Sequence, residues 1–162
     1  MGLLGWLETT DLSHWIRTSD FGYSLVLAAH AIGMALVAGV SFMFCARALG
    51  LARDFPLSGF NRLFAWAWFG FALSAISGTL LFVGQPRRLL ANWPFDVKLL
   101  LILIAGFSLR YLGKTLSDIE GLRACGDLPR HLKIVATWPI VLWLGVILAG
   151  RLIGYTMGSQ PL

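Results

Sequence analysis

His30 sits in LAAHAIGMALVAG, residues 27–39, a run that is otherwise entirely apolar. An ionisable residue in such a run costs free energy unless a partner or a ligand compensates it. On a helix, residues about four, seven and eleven positions apart share a face. His30 therefore stands on one stripe with Tyr23, Met34, Val37, Ser41 and, slightly rotated, Cys45. Imidazole and thioether are soft donors of the kind copper(I) accepts, which makes His30 and Met34 candidate metal ligands. Cys45 is about 22 Å along the axis from His30 and cannot share the same ion. Imidazole is equally an axial ligand for b-type haem. His14 and His131 fall near opposite membrane surfaces, so a bis-histidine haem is disfavoured, and a five-coordinate or weakly six-coordinate one is left. A third possibility is structural: the imidazole hydrogen-bonds a serine or a backbone carbonyl of a neighbouring helix.

Two cations belong to the same half of the chain's apolar body. Lys98 opens one apolar segment and Arg151 lies about two turns before the end of another. No Asp or Glu lies deep in any apolar segment, and Asp96 is the nearest candidate partner. A buried cation without an anion is expensive. Asp96, a lipid head group, a quinone-like acceptor or haem propionates would each satisfy Lys98 and Arg151, and both side chains are also long enough to snorkel to the head groups. In a haem protein, Tyr155 or a tryptophan would pack the ring edge. The candidate cofactor-binding residues are thus His30, Lys98, Arg151 and Tyr155. No pattern identifies a catalytic residue, and the chain is not assigned as an enzyme.

The elements that hold these residues follow from composition. Of 162 residues, 57% are hydrophobic and 13% charged, with a mean hydropathy of +0.75. Soluble domains carry about 25% charged residues, so an integral membrane protein of a single domain, residues 1–162, is expected. Four segments approach the roughly 20 apolar residues needed to span a bilayer: about 21–46, 63–84, 94–112 and 134–157. In the third, only eleven uncharged residues separate Lys98 from Arg110, about 17 Å of helix, so one or both cations must lie within the span. The fold class is all-α, an integral membrane four-helix bundle. Residues 1–20 mix Leu3, Leu4, Trp6, Leu7, Leu12, Trp15 and Ile16 with polar residues, as an interfacial amphipathic segment does. This N-terminus lacks the pattern of a secretory signal.

Connections and charges complete the plan. Ser117 and Glu120 form a capping-box pattern that predicts a short surface helix in the 115–133 loop. Residues 85–93 read as a tight polar turn. Ala31, Ala35 and Gly39 on the first span, and Ala67, Gly70, Ser74, Ser77 and Gly78 on the second, form small-residue faces suited to close helix contact. Arg17, Arg87, Arg88, Lys98 and Arg151 gather at one membrane side; Arg47, Arg53, Arg62, Arg110, Lys114, Arg123, Arg130 and Lys133 gather at the other. The positive-inside rule places the second group in the cytoplasm and both termini outside. Cys45 and Cys125 then share the reducing side, where no disulfide is expected. The net charge of +5 serves orientation and lipid contact. No aromatic-interleaved basic run suggests nucleic acid. Residues 44–50 echo 107–113, and 77–81 echo 149–153, as two related hairpins would.

The runs Ser19-Asp-Phe-Gly-Tyr23, Ala29-His30-Ala-Ile-Gly33, Arg47-Ala-Leu-Gly50, Trp68-Phe-Gly-Phe-Ala72, Ser77-Gly-Thr-Leu-Leu-Phe82, Phe95-Asp-Val-Lys98-Leu-Leu100 and Ala149-Gly-Arg-Leu-Ile-Gly-Tyr155 resemble an uncharacterised family of small bacterial four-helix inner-membrane proteins. That family is distantly similar to the HemJ-type protoporphyrinogen oxidase and to the membrane domain of copper resistance protein D. In the HemJ-type pattern a first-helix histidine carries haem and a lysine opens the third helix. The resemblance implies haem at His30 and a supporting role for Lys98. The tryptophan of the HemJ-type W-x-x-K motif is displaced here, since Trp93 stands five residues before Lys98.

Three functions are expected from these observations. The first is binding of one b-type haem, or a similar redox ligand, for electron transfer or oxidation with a periplasmic or membrane partner. The second is a non-catalytic accessory subunit of a larger membrane complex. The third is copper handling.

Overall fold

The computed structural model describes residues 2–19, 21–51, 60–120 and 130–158. Every element among them is an α-helix: α1 (Leu3–Glu8), α2 (Asp11–Thr18), α3 (Gly22–Ala48), α4 (Phe60–Gly84), α5 (Pro86–Leu90), α6 (Trp93–Glu120) and α7 (Arg130–Gly158). In an apolar medium each backbone amide must find its partner within the segment, and a helix does this without help. The stretches Gly22–Arg47, Leu63–Gly84 and Thr137–Thr156 are long and apolar enough to cross a membrane. Their large apolar side chains, among them Leu25, Phe69, Ile76 and Leu148, are exposed to the surroundings, as lipid contact requires. The chain is an all-helical protein of membrane type. α6 is of similar length, 28 residues, and carries Asp96 in its first turn.

Backbone packing divides the long helices into two hairpins. α3 packs along α4, and α6 along α7; the hairpins join chiefly through α3 and α7. The α3–α4 crossing depends on two glycines. A Cβ at Gly33 would stand 2.7 Å from the Gly70 carbonyl oxygen, and one at Gly70 would stand 2.6 Å from the Leu36 Cβ. Only glycine permits that approach. On α4, Gly70, Ser74 and Ser77 face inward as expected. On α3 the small-residue stripe behaves otherwise: Ala31, Ala35 and Gly39 are exposed, and a Cβ at Gly39 would meet nothing within 4 Å. The stripe that packs is rotated toward Gly33, because Gly33 rather than Gly39 lies opposite Gly70.

The hairpins meet at a core of Ala38, Ala105, Trp143 and Val146, with Met34, Val37 and Ile102 packed against it. This cluster lies near mid-length of α3, α6 and α7, on the 48/130 side of His30 and Lys98. Asn92, between α5 and α6, ties this connection to α7: its Oδ1 accepts a hydrogen bond from Thr156 Oγ1 at 2.9 Å. α2 covers the end of α4, with Ile16 against Gly84 and Ser13 Oγ donating to the Gly84 carbonyl at 3.4 Å. Trp6, Leu12 and Trp15 face outward.

Two connections differ from expectation. Residues 85–93 are not a simple turn: Pro86 starts the short helix α5, a position where its fixed φ and missing N–H cost nothing. Residues 117–120 form the end of α6 rather than a separate surface helix. Cys125, Arg53 and Arg123 lie outside the described residues.

Candidate functional site: a cleft between the hairpins

A cleft of about 1170 Å³ separates the α3–α4 hairpin from the α6–α7 hairpin. His30, on α3, forms part of its wall. The imidazole lies against Gly78 of α4, where an added Cβ would be 3.1 Å from Cε1. Its Nδ1 is 2.9 Å from the Ser74 carbonyl oxygen. That oxygen can only accept, so Nδ1 carries the proton and donates it. The hydroxyls of Ser77 and Ser74 each stand 3.3 Å from the same nitrogen. The Ser77 hydroxyl donates instead to the Leu73 carbonyl at 2.6 Å. A serine and a carbonyl of the neighbouring helix thus hold His30, one of the roles open to it from sequence.

The other ring nitrogen is spoken for differently. With the proton on Nδ1, Nε2 keeps its lone pair. It accepts from Lys98 Nζ at 3.2 Å. Lys98 reaches His30 from α6 by lying along Gly150 of α7, where an added Cβ would be 3.5 Å from Nζ. Glycines at 78 and 150 therefore leave the space that the His30 and Lys98 side chains fill against the two hairpins.

The other candidates gather around the same cleft. Met34, Arg151 and Tyr155 all contribute to its lining, with His30 and Lys98. The Arg151 guanidinium lies 5.4 Å from the Tyr155 ring centroid, a cation–π distance. Ser41 and Cys45 of the His30 stripe do not line the cleft; both are buried, and Ser41 Oγ donates to the Val37 carbonyl. Asp96, the expected partner for the cations, is exposed and is not part of the lining. Among the described residues the lining contains Arg88, Lys98 and Arg151 and no carboxylate.

Several lining residues were not anticipated from sequence. Phe82 of α4 and Phe95 of α6 stack with centroids 6.1 Å apart, closing the cleft over part of its length. Gln85 and Arg88 line the same end, and Arg88 Nη1 donates to Gln85 Oε1 at 3.4 Å. Trp143 is 3% exposed and lines the cleft, and its Nε1 has no acceptor among the described residues. A buried indole N–H normally finds one. The signal for Trp143 was present in sequence only as a tryptophan in mid-segment, whereas interfacial tryptophans sit at segment ends.

No family model matches the chain. No curated protein and no solved structure matches it either. The site must therefore be judged on its own chemistry. Among the described residues no group of three or more His, Cys, Asp or Glu is placed to hold a metal ion, so His30 and Met34 are the protein donors at hand. For haem the residues fit better. A metal-binding histidine characteristically donates its second ring N–H to a carbonyl or carboxylate, as His30 does to Ser74. Lys98 and Arg151 stand in the same lining, which among the described residues holds no carboxylate.

Proposed function

We propose that this protein holds one b-type haem, or a similar flat redox ligand with acidic groups, in the cleft between its hairpins. The observation that carries this is the orientation of His30: Nδ1 is tied to the Ser74 carbonyl, and Nε2 points to Lys98, a second residue of the cleft lining. His30 would be the axial ligand, Lys98 and Arg151 would hold the propionates, and Tyr155 would pack the ring edge. Lys98 sits on a flexible stem and can turn from Nε2 to a carboxylate. Haem would supply one-electron chemistry there, in electron transfer or oxidation with a periplasmic or membrane partner.

The setting that goes with this function is a bacterial inner membrane. α6 serves as the fourth crossing, completing a four-helix bundle, and α1 and α2 lie at the outer interface with both termini outside. The excess of Lys and Arg at the 48/130 end supports that orientation. The His30 cleft then belongs to the outer half. The likeness to the HemJ-type pattern at His30 and Lys98 agrees with the same function.

An accessory role is the second reading, supported by the exposed stripe Ala31, Ala35 and Gly39. Small residues facing lipid permit a partner helix to approach closely. Copper handling would need donors beyond His30 and Met34.

The test is an absorption spectrum of the detergent-purified protein, oxidised and dithionite-reduced, with haem and copper assayed on the same sample. A Soret band that His30→Ala removes supports haem ligation. A colourless, metal-free protein that co-purifies with a larger assembly supports the accessory role instead.

A further inference from the structure

The cleft has a chemical polarity that its overall volume conceals. Its α4–α6 side is apolar: Phe71, Ala75 and Leu99 line it and are also exposed to the surroundings. α6 packs along α7, not along α4, so this seam lacks the helix contact that closes the others. The cations stand apart from these residues: the Lys98 side chain leaves α6, runs along Gly150 of α7 and ends at His30, and Arg151 is on α7. The end nearest α5 is narrowed by the Phe82–Phe95 stack and by the α5 corner tied through Asn92 to Thr156. A molecule entering through this seam thus meets apolar side chains before the half-buried Lys98 ammonium, while Arg151 is exposed.

We propose that the cleft is loaded sideways from the bilayer, through the α4–α6 seam, by a membrane-dissolved amphiphile whose acidic head group lodges against Lys98 and Arg151. Charge complementarity selects this occupant. Among the described residues Lys98 and Arg151 line the site with no carboxylate beside them in the lining, and the half-buried Lys98 ammonium favours an anion. The body of the ligand must be apolar because the wall it crosses is. Haem is one member of this class, but the inference does not rest on iron or on His30 ligation.

The test uses the full chain in phosphatidylcholine proteoliposomes with a stearic acid carrying a diazirine in mid-chain, and with the matching stearyl alcohol. After photolysis, labelled residues are mapped by peptide mass spectrometry. The acid is expected to label the cleft residues Met34 and Trp143, roughly tenfold more than the alcohol, as for one charge-assisted hydrogen bond. Lys98→Met should erase that preference. Ala75→Trp and Leu99→Trp, which crowd the seam at exposed positions, should slow cleft labelling several-fold. Ile76→Trp and Leu103→Trp, exposed but outside the lining, should not, which separates blockage from misfolding. Labelling confined to outward residues, equal labelling by acid and alcohol, or indifference to both seam variants would each overturn the proposal. Acid-selective cleft labelling in a protein with no Soret band would leave this inference standing and remove the haem function alone.

Discussion

His30 and Lys98 meet across the cleft, Nε2 to Nζ at 3.2 Å, although they come from different hairpins and are separated by 68 residues. The contact assigns each group a state. Nδ1 of His30 donates to the Ser74 carbonyl, so Nε2 is the acceptor and Lys98 the donor. Any ligand that takes the Nε2 lone pair must displace Lys98, and any anion that attracts Lys98 must uncover Nε2. One acidic ligand with a metal centre would do both at once, as the proposed function requires.

The His30→Ala variant should lose the Soret band entirely while remaining folded. Removing the imidazole forfeits a bond to Ser74 worth about 0.5–1.5 kcal/mol, too little to unfold a helical membrane protein held by the Gly33–Gly70 crossing. Absorption spectra and circular dichroism on the same sample check both halves. Loss of helicity together with the band would make His30 structural.

Lys98→Met should weaken haemin binding about tenfold, near 1.4 kcal/mol, and leave the iron's spectral type unchanged. Lys98→Arg should recover most of the affinity, because the positive charge is kept. Titration of the apo-protein with haemin measures this. A changed ligation spectrum in Lys98→Met would mean that Lys98 acts on Nε2 in the bound state and not on the propionates.

Gly78→Val should perturb the site without breaking the helix pair. A Cβ there already stands 3.1 Å from His30 Cε1, and branching forces the imidazole off its seat on Ser74. The expected result is a shifted or weakened Soret band with a melting temperature close to the parent's. Gly33→Leu should do the opposite. It overpacks the α3–α4 crossing, at a cost of about 1–3 kcal/mol, and a thermal melt in detergent should show the loss. Equal melting of the parent and Gly33→Leu would mean that the crossing tolerates wider helix spacing.

Orientation is tested by topology reporters. Alkaline phosphatase fused after residue 158 should be active, and the same reporter inserted at residues 121–129 should be silent. The reverse pattern would turn the cleft toward the cytoplasm and with it the expected redox partner.

Local sequence carried the helical class of this protein, because long uncharged runs such as Gly22–Ala46 leave the backbone no other way to satisfy itself in lipid. It also marked His30, Met34, Lys98, Arg151 and Tyr155, since polar or soft groups within such runs are conspicuous against their neighbours. It could not pair them. Helical spacing reports which residues share a face of one helix and is silent about what faces them from another. The close crossing illustrates this: Ala31, Ala35 and Gly39 have the spacing for contact, yet Gly33 makes it, because the rotation of α3 is decided by how Gly70 and Ser74 receive it. The direct His30–Lys98 bond, the exclusion of Asp96 from the cleft lining and the burial of Trp143 depend in the same way on the placement of one hairpin against the other. That placement arises from contacts between residues far apart in the chain, and only the tertiary structure contains it.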